Sequence, residues 1–204
     1  WNDEGATGGN VRVVVSDSGV DASHPDIELT DVNGWVDCVE ASTGCVANND
    51  PVDPNGHGTH VSGTVAGGDA SGTHIGVAPD VELAHARTLN ESGWGWYSDW
   101  ISSIEWAVDT NSDIISMSMS GDKVGTLSDP VANAMEADTL VVASIGNDGE
   151  GTSGSPGAVW DSIASGATDE NEDVFILFST GLMMDGLPAE RHAAILRWVI
   201  DSRD

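Results

Sequence analysis

Apolar positions fall along the chain in short, nearly unbroken runs, and the segments between those runs carry apolar residues at helical spacing. Residues 11–21, "VRVVVSDSGVD", stay apolar until Asp17-Ser-Gly interrupts them, the pattern of a strand covered on both faces that ends in a loop. "GHGTHVSGTVAG" (56–67) sets small residues at helical spacing and predicts a helix lying close against a sheet. "DVELAHARTL" (80–89) predicts a strand, "SDWISSIEWAVDT" (98–110) a helix with Ser98 as N-cap, and "SDIISMSMSG" (112–121) a strand directly after it. "SDPVANAMEAD" and "TLVVASIGNDG" (128–149) repeat helix then buried strand, and "DSIASGAT" (161–168) reads as a short further strand.

Strands alternating with helices of this length predict an α/β domain of three layers, a mainly parallel sheet covered on both faces. Ligands in such folds bind beyond the carboxyl ends of the strands. Asp17, the Ser118 region and Asn147 all fall where predicted strands end, so three separated motifs are expected on one rim. The segment "GLPAERHAAILRWVIDSRD" predicts an amphipathic helix over 188–202 with Pro188 in its first turn. It holds three of the five arginines, so the expected division is an α/β domain over 1–181 and, over 182–204, a tail that is basic relative to the rest of the chain.

Charge changes this picture more than length does. The 204 residues suit one domain. They carry 34 acidic against 6 basic residues, a formal net charge of -28, and Lys123 is the single lysine. A phosphate backbone would be repelled, so nucleic-acid binding is excluded as an expectation. The acids are interspersed with Val, Ile, Ala and eight Trp, which argues against a disordered acidic tail. Self-repulsion of this size is relieved by screening, with a Debye length of about 3 Å at 1 M salt. A salt-adapted protein is the reading this favours; an ordinary acidic domain is the alternative.

Cys38 and Cys45 bracket "CVEASTGC", which fits either a small surface disulfide in an oxidising compartment or two free thiols. No apolar run reaches membrane-spanning length, and the chain opens at Trp1 with no methionine or signal segment, as a processed or truncated start would.

Three residues carry candidate chemistry. A carboxylate that orients an imidazole, an imidazole that takes a proton from a hydroxyl, and a donor to an oxyanion together make acyl-transfer machinery. Asp17, His57 and Asn147 supply those types. Singly, each has a plain structural explanation as a turn or packing residue.

In series, "VVVSDSGVDASHPD", "NGHGTHVSGTVAG", "GVAPDVEL", "SDIISMSMSG" and "VVASIGNDG" resemble the landmark segments of the subtilisin-like serine peptidases, the subtilases. The resemblance runs from about Trp1 to Gly181. It implies a subtilisin-like three-layer α/β fold, incomplete at its C-terminal end, from a secreted, salt-adapted endopeptidase lineage. It also implies roles: Asp17 as triad Asp, His57 as general base and Asn147 as the side-chain donor to the oxyanion. The mechanism comes with the family, for which it is established.

The resemblance further implies a groove for an extended peptide or protein substrate. Gly93, Trp94 and Gly95 match the edge strand that pairs with the substrate backbone, and Ser118, Met119 and Ser120 the facing strand. Ser144, Ile145 and Gly146 match the wall of the pocket before the scissile bond, and Ser120 stands where the family usually has Gly, which predicts a narrower floor. No cofactor is implied for the chemistry, and a monomer is expected.

Structural calcium is the metal the resemblance implies. Asp26 in "HPD" matches a common family ligand, and Asp50 and Asp53 lie in a loop where some members bind a second ion. The loop "GGDASGTH" lacks the Asn expected for the first site. His57 and His60 at spacing three have no third ligand of recognisable spacing, so zinc is not expected.

The family's nucleophile lies in Gly-Thr-Ser-Met-Ala-x-Pro at the start of a long helix. The single Gly-Thr-Ser here, in "EGTSGSPG" (150–157), contains Ser153 six positions after Asn147, followed by the turn-and-strand text "PGAVWDSIASGAT". It matches an ordinary family loop, so Ser153 is read as a loop serine. Ser179 in "LFSTG" matches a non-catalytic stretch. After Gly181 the resemblance fails, and the nucleophile Ser is expected to be absent. The chain alone is then expected not to hydrolyse peptides, either as an enzyme fragment or as a non-catalytic peptide-binding module; an active enzyme using an unforeseen serine is the third reading.

Overall fold

Strand β1 (Arg12–Asp17) is the axis of the sheet, pairing in parallel with β3 (Glu82–Arg87) on one side and β4 (Ile114–Met117) on the other. β2 (Trp35–Asp37) extends the sheet beyond β3, and β5 (Leu140–Ser144) and β6 (Ile163–Ser165) extend it beyond β4. All five pairings are parallel, in the order β2-β3-β1-β4-β5-β6. The structure is a computed structural model that describes residues 5–39, 44–47, 50–149 and 152–167. Ser179, the 181/182 boundary and the helix expected over 188–202 lie outside the described residues.

The apolar runs become strands because both faces of the sheet are covered. Side chains alternate along a strand. Val14, Ala84, Ala86, Ile115 and Val141 therefore pack under α2 (Tyr97–Asp109) and α3 (Ser128–Glu136), against Trp100, Ile104, Ala107, Val131 and Ala134. Val13, Val15, Leu83, Ile114 and Val142 face the other way, where α1 (His57–Ala66) contributes Val61 and Val65. The same alternation puts Asp17 on the face that α1 covers and Ser16 on the α2 face. Ser16 Oγ there lies 2.9 Å from Ser103 Oγ and 3.0 Å from Thr88 Oγ1.

Two local expectations are corrected. Helix α2 is capped at Trp96, not Ser98: the Trp96 N–H donates to Asp99 Oδ2 at 3.3 Å, and the Ser98 hydroxyl merely supports Asp99 at 3.2 Å. Strand β2 was not expected at all. Its three residues are too few to show a period, and it exists through its pairing with β3, Trp35 opposite His85.

Cys38 and Cys45 are joined, with Cα atoms 4.0 Å apart, just past β2. A loop of this size restricts the unfolded chain modestly. Converting both cysteines to Ser is expected to lower stability by about 2.5 kcal/mol, read as a fall in the urea midpoint.

Candidate active site

The parallel pairing decides what meets what. Ser16 on β1 is level with Met117 on β4, and Met117 with Ala143 on β5, so Asp17, Ser118 and Ser144 follow side by side along the carboxyl edge of three adjacent strands. At strand spacings near 4.8 Å, the outer two columns are roughly 10 Å apart. Asn147 follows three residues after β5, on an exposed bend.

Asp17 is fully buried, and its Oδ1 is 2.7 Å from His57 Nδ1 while also accepting the Ser18 N–H at 2.7 Å. Its Oδ2 is buried with no hydrogen-bond partner among the described residues. A buried carboxylate with such a contact favours the imidazole tautomer whose proton is on Nδ1, leaving Nε2 to accept a proton. The bond to Asp17 holds the His57 pKa above its ordinary value against partial burial, and the charges of Asp17 and Asp53 act in the same direction. His57 is half-buried, its side chain 31% exposed, so the ring still reaches solvent.

Helix α1 starts where it does because its first amides are met from outside the helix. Gly56 turns the chain with φ of 93°, and the N–H groups of His57, Gly58 and Thr59 donate to Asn55 Oδ1, Ser18 Oγ and Asp53 Oδ2 at 3.2, 2.9 and 2.8 Å. Asp53 also accepts the Thr59 hydroxyl on Oδ2, and the Ser18 hydroxyl and the Asn55 and Gly56 N–H groups on Oδ1. Burial pushes the Asp53 pKa up, but these bonds outweigh it and hold the carboxyl below its ordinary value.

The groove candidates divide into two sets. Gly93 closes a tight turn with φ of 72°, Asn90 accepts the N–H groups of Ser92 and Trp94 on its side chain, and Asn55 Nδ2 donates to Glu91 O at 3.1 Å. This ties the Gly93-Trp94-Gly95 turn to the loop that leads into α1 and His57. Trp94 and Trp96 are 55% and 60% exposed and meet edge to face at 4.7 Å. On the other side, Ser118, Met119 and Ser120 leave the end of β4, and Gly121 exchanges both backbone hydrogen bonds with Ser155. A Cβ on Gly146 or Gly154 would come within 2.7 or 2.0 Å of Ser120 Oγ, so this hydroxyl sits between the Ser144-Ile145-Gly146 segment and Gly154.

Ser153 is exposed, in a loop whose neighbour Gly154 donates to Ile145 O at 2.7 Å, and the chain continues through a turn into β6. The three calcium candidates have different surroundings. Asp26 is bonded to Ser71 through Ser71 N–H at 3.1 Å and Oγ at 2.5 Å, Asp50 is exposed, and Asp53 is saturated by the five donors above. Among the described residues no group of three or more His, Cys, Asp or Glu could hold a metal ion.

His85 was missed in the sequence. It is fully buried on β3 beneath α1, with Nδ1 3.0 Å from Ser62 Oγ and Nε2 without a partner among the described residues. Burial lowers its pKa to about 4. The alternation of β3 was the available signal, since it places His85 on the same face as Leu83.

Residues 8–189 match the sequence profile of the Subtilase family. Subtilisin DY of Bacillus licheniformis is 37% identical over 187 residues, covering 89% of this chain and 65% of that protein. Subtilisin E of Bacillus subtilis is also 37% identical over 187 residues, 89% of this chain and 47% of that protein. The Major intracellular serine protease of Bacillus subtilis is 40% identical over 152 residues, 72% and 46% of the two chains. The chain thus spans less than two thirds of the length of each of these relatives.

Proposed function

Because the chain belongs to the subtilase family, we propose that Asp17 and His57 are the acid–base half of an acyl-transfer centre directed at peptide bonds. The observation that carries this is the 2.7 Å contact between a buried carboxylate and a solvent-reaching imidazole at the carboxyl edge of the sheet. In the complete centre a nucleophile's hydroxyl oxygen would add to the peptide carbonyl as its proton passes to His57 Nε2, Asp17 would orient and stabilise the imidazolium, and the Asn147 amide would donate to the oxyanion so formed. An extended peptide pairs with Gly93–Gly95 on one side and Ser118–Ser120 on the other. The Ser120 hydroxyl, seated between Gly146 and Gly154, restricts the pocket before the scissile bond to small side chains.

No serine of this chain is assigned as nucleophile. Ser153 precedes a turn and a strand instead of opening a helix. In subtilisin itself, the relative in which this was measured, removing the nucleophile costs about a millionfold in turnover, so the chain alone is inactive in this reading. No cofactor is assigned to the chemistry. The protein acts as a monomer, the acidic excess suits high salt, and the Cys38–Cys45 disulfide supports an oxidising compartment outside the cell. A second reading, a module that binds extended peptides without cleaving them, is favoured by the exposure of Trp94 and Trp96 beside the His57 loop.

The test is labelling with a fluorophosphonate probe in molar salt, with the labelled peptide mapped by mass spectrometry. The expected result is a folded chain that takes no label. Label on Ser153 or any other serine, abolished in His57→Ala, would make the chain a working peptidase and overturn the assignment. Quenching of tryptophan fluorescence by an extended peptide in the unlabelled chain, lost in Trp94→Ala, distinguishes the binding module.

A further inference from the structure

Asp17 and His57 are forty residues apart in sequence, on a strand end and a helix start, and the contact between them needs both backbones held in register. The side chains do not do this alone. Each residue is followed by one that enters a second, separate set of bonds. Ser18, next to Asp17, accepts the Gly58 N–H at 2.9 Å, and Gly58 is next to His57. The Ser18 hydroxyl then donates to Asp53 Oδ1 at 2.9 Å. Asp53 Oδ2 takes the N–H and hydroxyl of Thr59, at 2.8 and 2.6 Å, on the far side of Gly58.

The loop carrying Asp53 is itself laid on the end of β1. The Val20 N–H donates to Val52 O at 3.1 Å, and that carbonyl passes so close that a Cβ on Gly19 would lie 1.9 Å from it. Asp53 therefore touches the strand end, its own loop and the first turn of α1 at once, and its negative charge lies at the helix end that favours one.

We propose that Asp53 is a positioning residue for the Asp17–His57 pair: through Ser18 and Thr59 its carboxylate locks the end of β1 to the start of α1 and so sets the orientation of the imidazole. It bonds neither Asp17 nor His57 and takes no part in proton transfer. Around His57, the charged or titratable groups that act on the imidazole are Asp17 and Asp53, with buried His85 beyond Gly58 under the same influence of both acids. The inference takes its chemical meaning from the proposed role of the pair, but its test reads the imidazole directly, so a chain that takes no fluorophosphonate label still decides it.

The test is proton NMR of the full chain, following the low-field resonance of the His57 Nδ1–H bonded to Asp17 and the titration of the ring. Asp53→Asn keeps the shape but replaces one accepting oxygen with an NH₂ group that cannot accept from Thr59, and it removes the charge. It is expected to broaden or erase the low-field resonance and shift the ring's titration downward. Asp21→Asn, which removes an equal charge from an exposed carboxylate bonded to Ser23, is expected to leave the resonance in place. If Asp53→Asn does not fold, Ser18→Ala removes a single link of the bridge and is expected to weaken the same resonance. A folded Asp53→Asn or Ser18→Ala protein with parental resonance and titration, whatever its melting temperature, would show that Asp53 is only a loop anchor.

Discussion

Gly58→Ala is expected to lower the unfolding free energy by about 3 kcal/mol or more and to separate Asp17 from His57. Ridge-and-groove packing of a helix on a sheet usually tolerates an added methyl at a cost near 1 to 3 kcal/mol, because side chains shift around it. Here the added Cβ would lie 2.1 Å from Gly19 O, 2.9 Å from Gly19 N and 3.0 Å from His85 Cε1. Two of those atoms are backbone, and the third belongs to a ring fixed under the helix. The first turn of α1 must then move away from β1, giving up the Gly58 N–H bond to Ser18 and stretching the contact one residue earlier. Gly63→Ala, in the same helix with nothing within 4 Å of its added Cβ, is the paired control. It is expected to stabilise by somewhat under 1 kcal/mol through helix propensity alone. Urea unfolding followed by tryptophan fluorescence gives both values. Equal behaviour of the two alanines would mean that the close approach of α1 to the strand end has no energetic weight.

The second large effect is a loss of stability in mild acid, and it comes from His85. Its folded pKa, pushed to about 4 by burial, lies below the ordinary 6.5. Between those values the unfolded chain takes up a proton that the folded chain does not. Stability is therefore complete above about pH 6.5, falls as pH drops toward 4, and changes no further from this group below that. Each unit of difference is about 1.4 kcal/mol, so the whole window amounts to about 3 kcal/mol. His57 works in the opposite sense: its raised pKa contributes stability below 6.5 that is lost as pH rises through its folded value. The lowered pKa of Asp53 matters only below the ordinary carboxyl range. The double variant His85→Leu, Ser62→Ala removes the buried ring and the hydroxyl bonded to it together. Its stability is expected to vary less between pH 6.5 and 4 than the parent's, measured as urea midpoints across the range. An unchanged slope would place the acid sensitivity elsewhere.

How far the sequence could be read follows from where each signal is stored. β1, β4 and β5 were legible because parallel strands covered on both faces leave unbroken apolar text, and α1 and α2 because the helical period survives ten or more residues. β2 was not, since Trp35–Asp37 is ordered by β3, some fifty residues later. Asp17 and His57 stood out because their flanking glycines, serines and histidines form compact local patterns. Asp53 was noticed only as one acid among 34, with a calcium role suggested by its loop. Its five donors come from Ser18, Asn55, Gly56 and Thr59, and the decisive one is separated from it by 35 residues. No local pattern encodes a bond of that span. His85 is legible only through the alternation of β3, which puts it on the face of Leu83; its residue type alone does not tell a ring in solvent from one beneath a helix.

The position of β1 between β3 and β4 also bears on how the protein is made. Val13, Val14 and Val15 leave the ribosome well before their partners, one of which begins near residue 82 and the other near residue 114. At synthesis rates of about 5 to 20 residues per second, the nascent chain carries this apolar strand without its full set of partners for roughly 5 to 20 seconds before the second one emerges. Pairings of such long sequence separation are also slow to form once available. The chain therefore passes through a period of exposed aggregation risk that is set by the order of strands in the sheet.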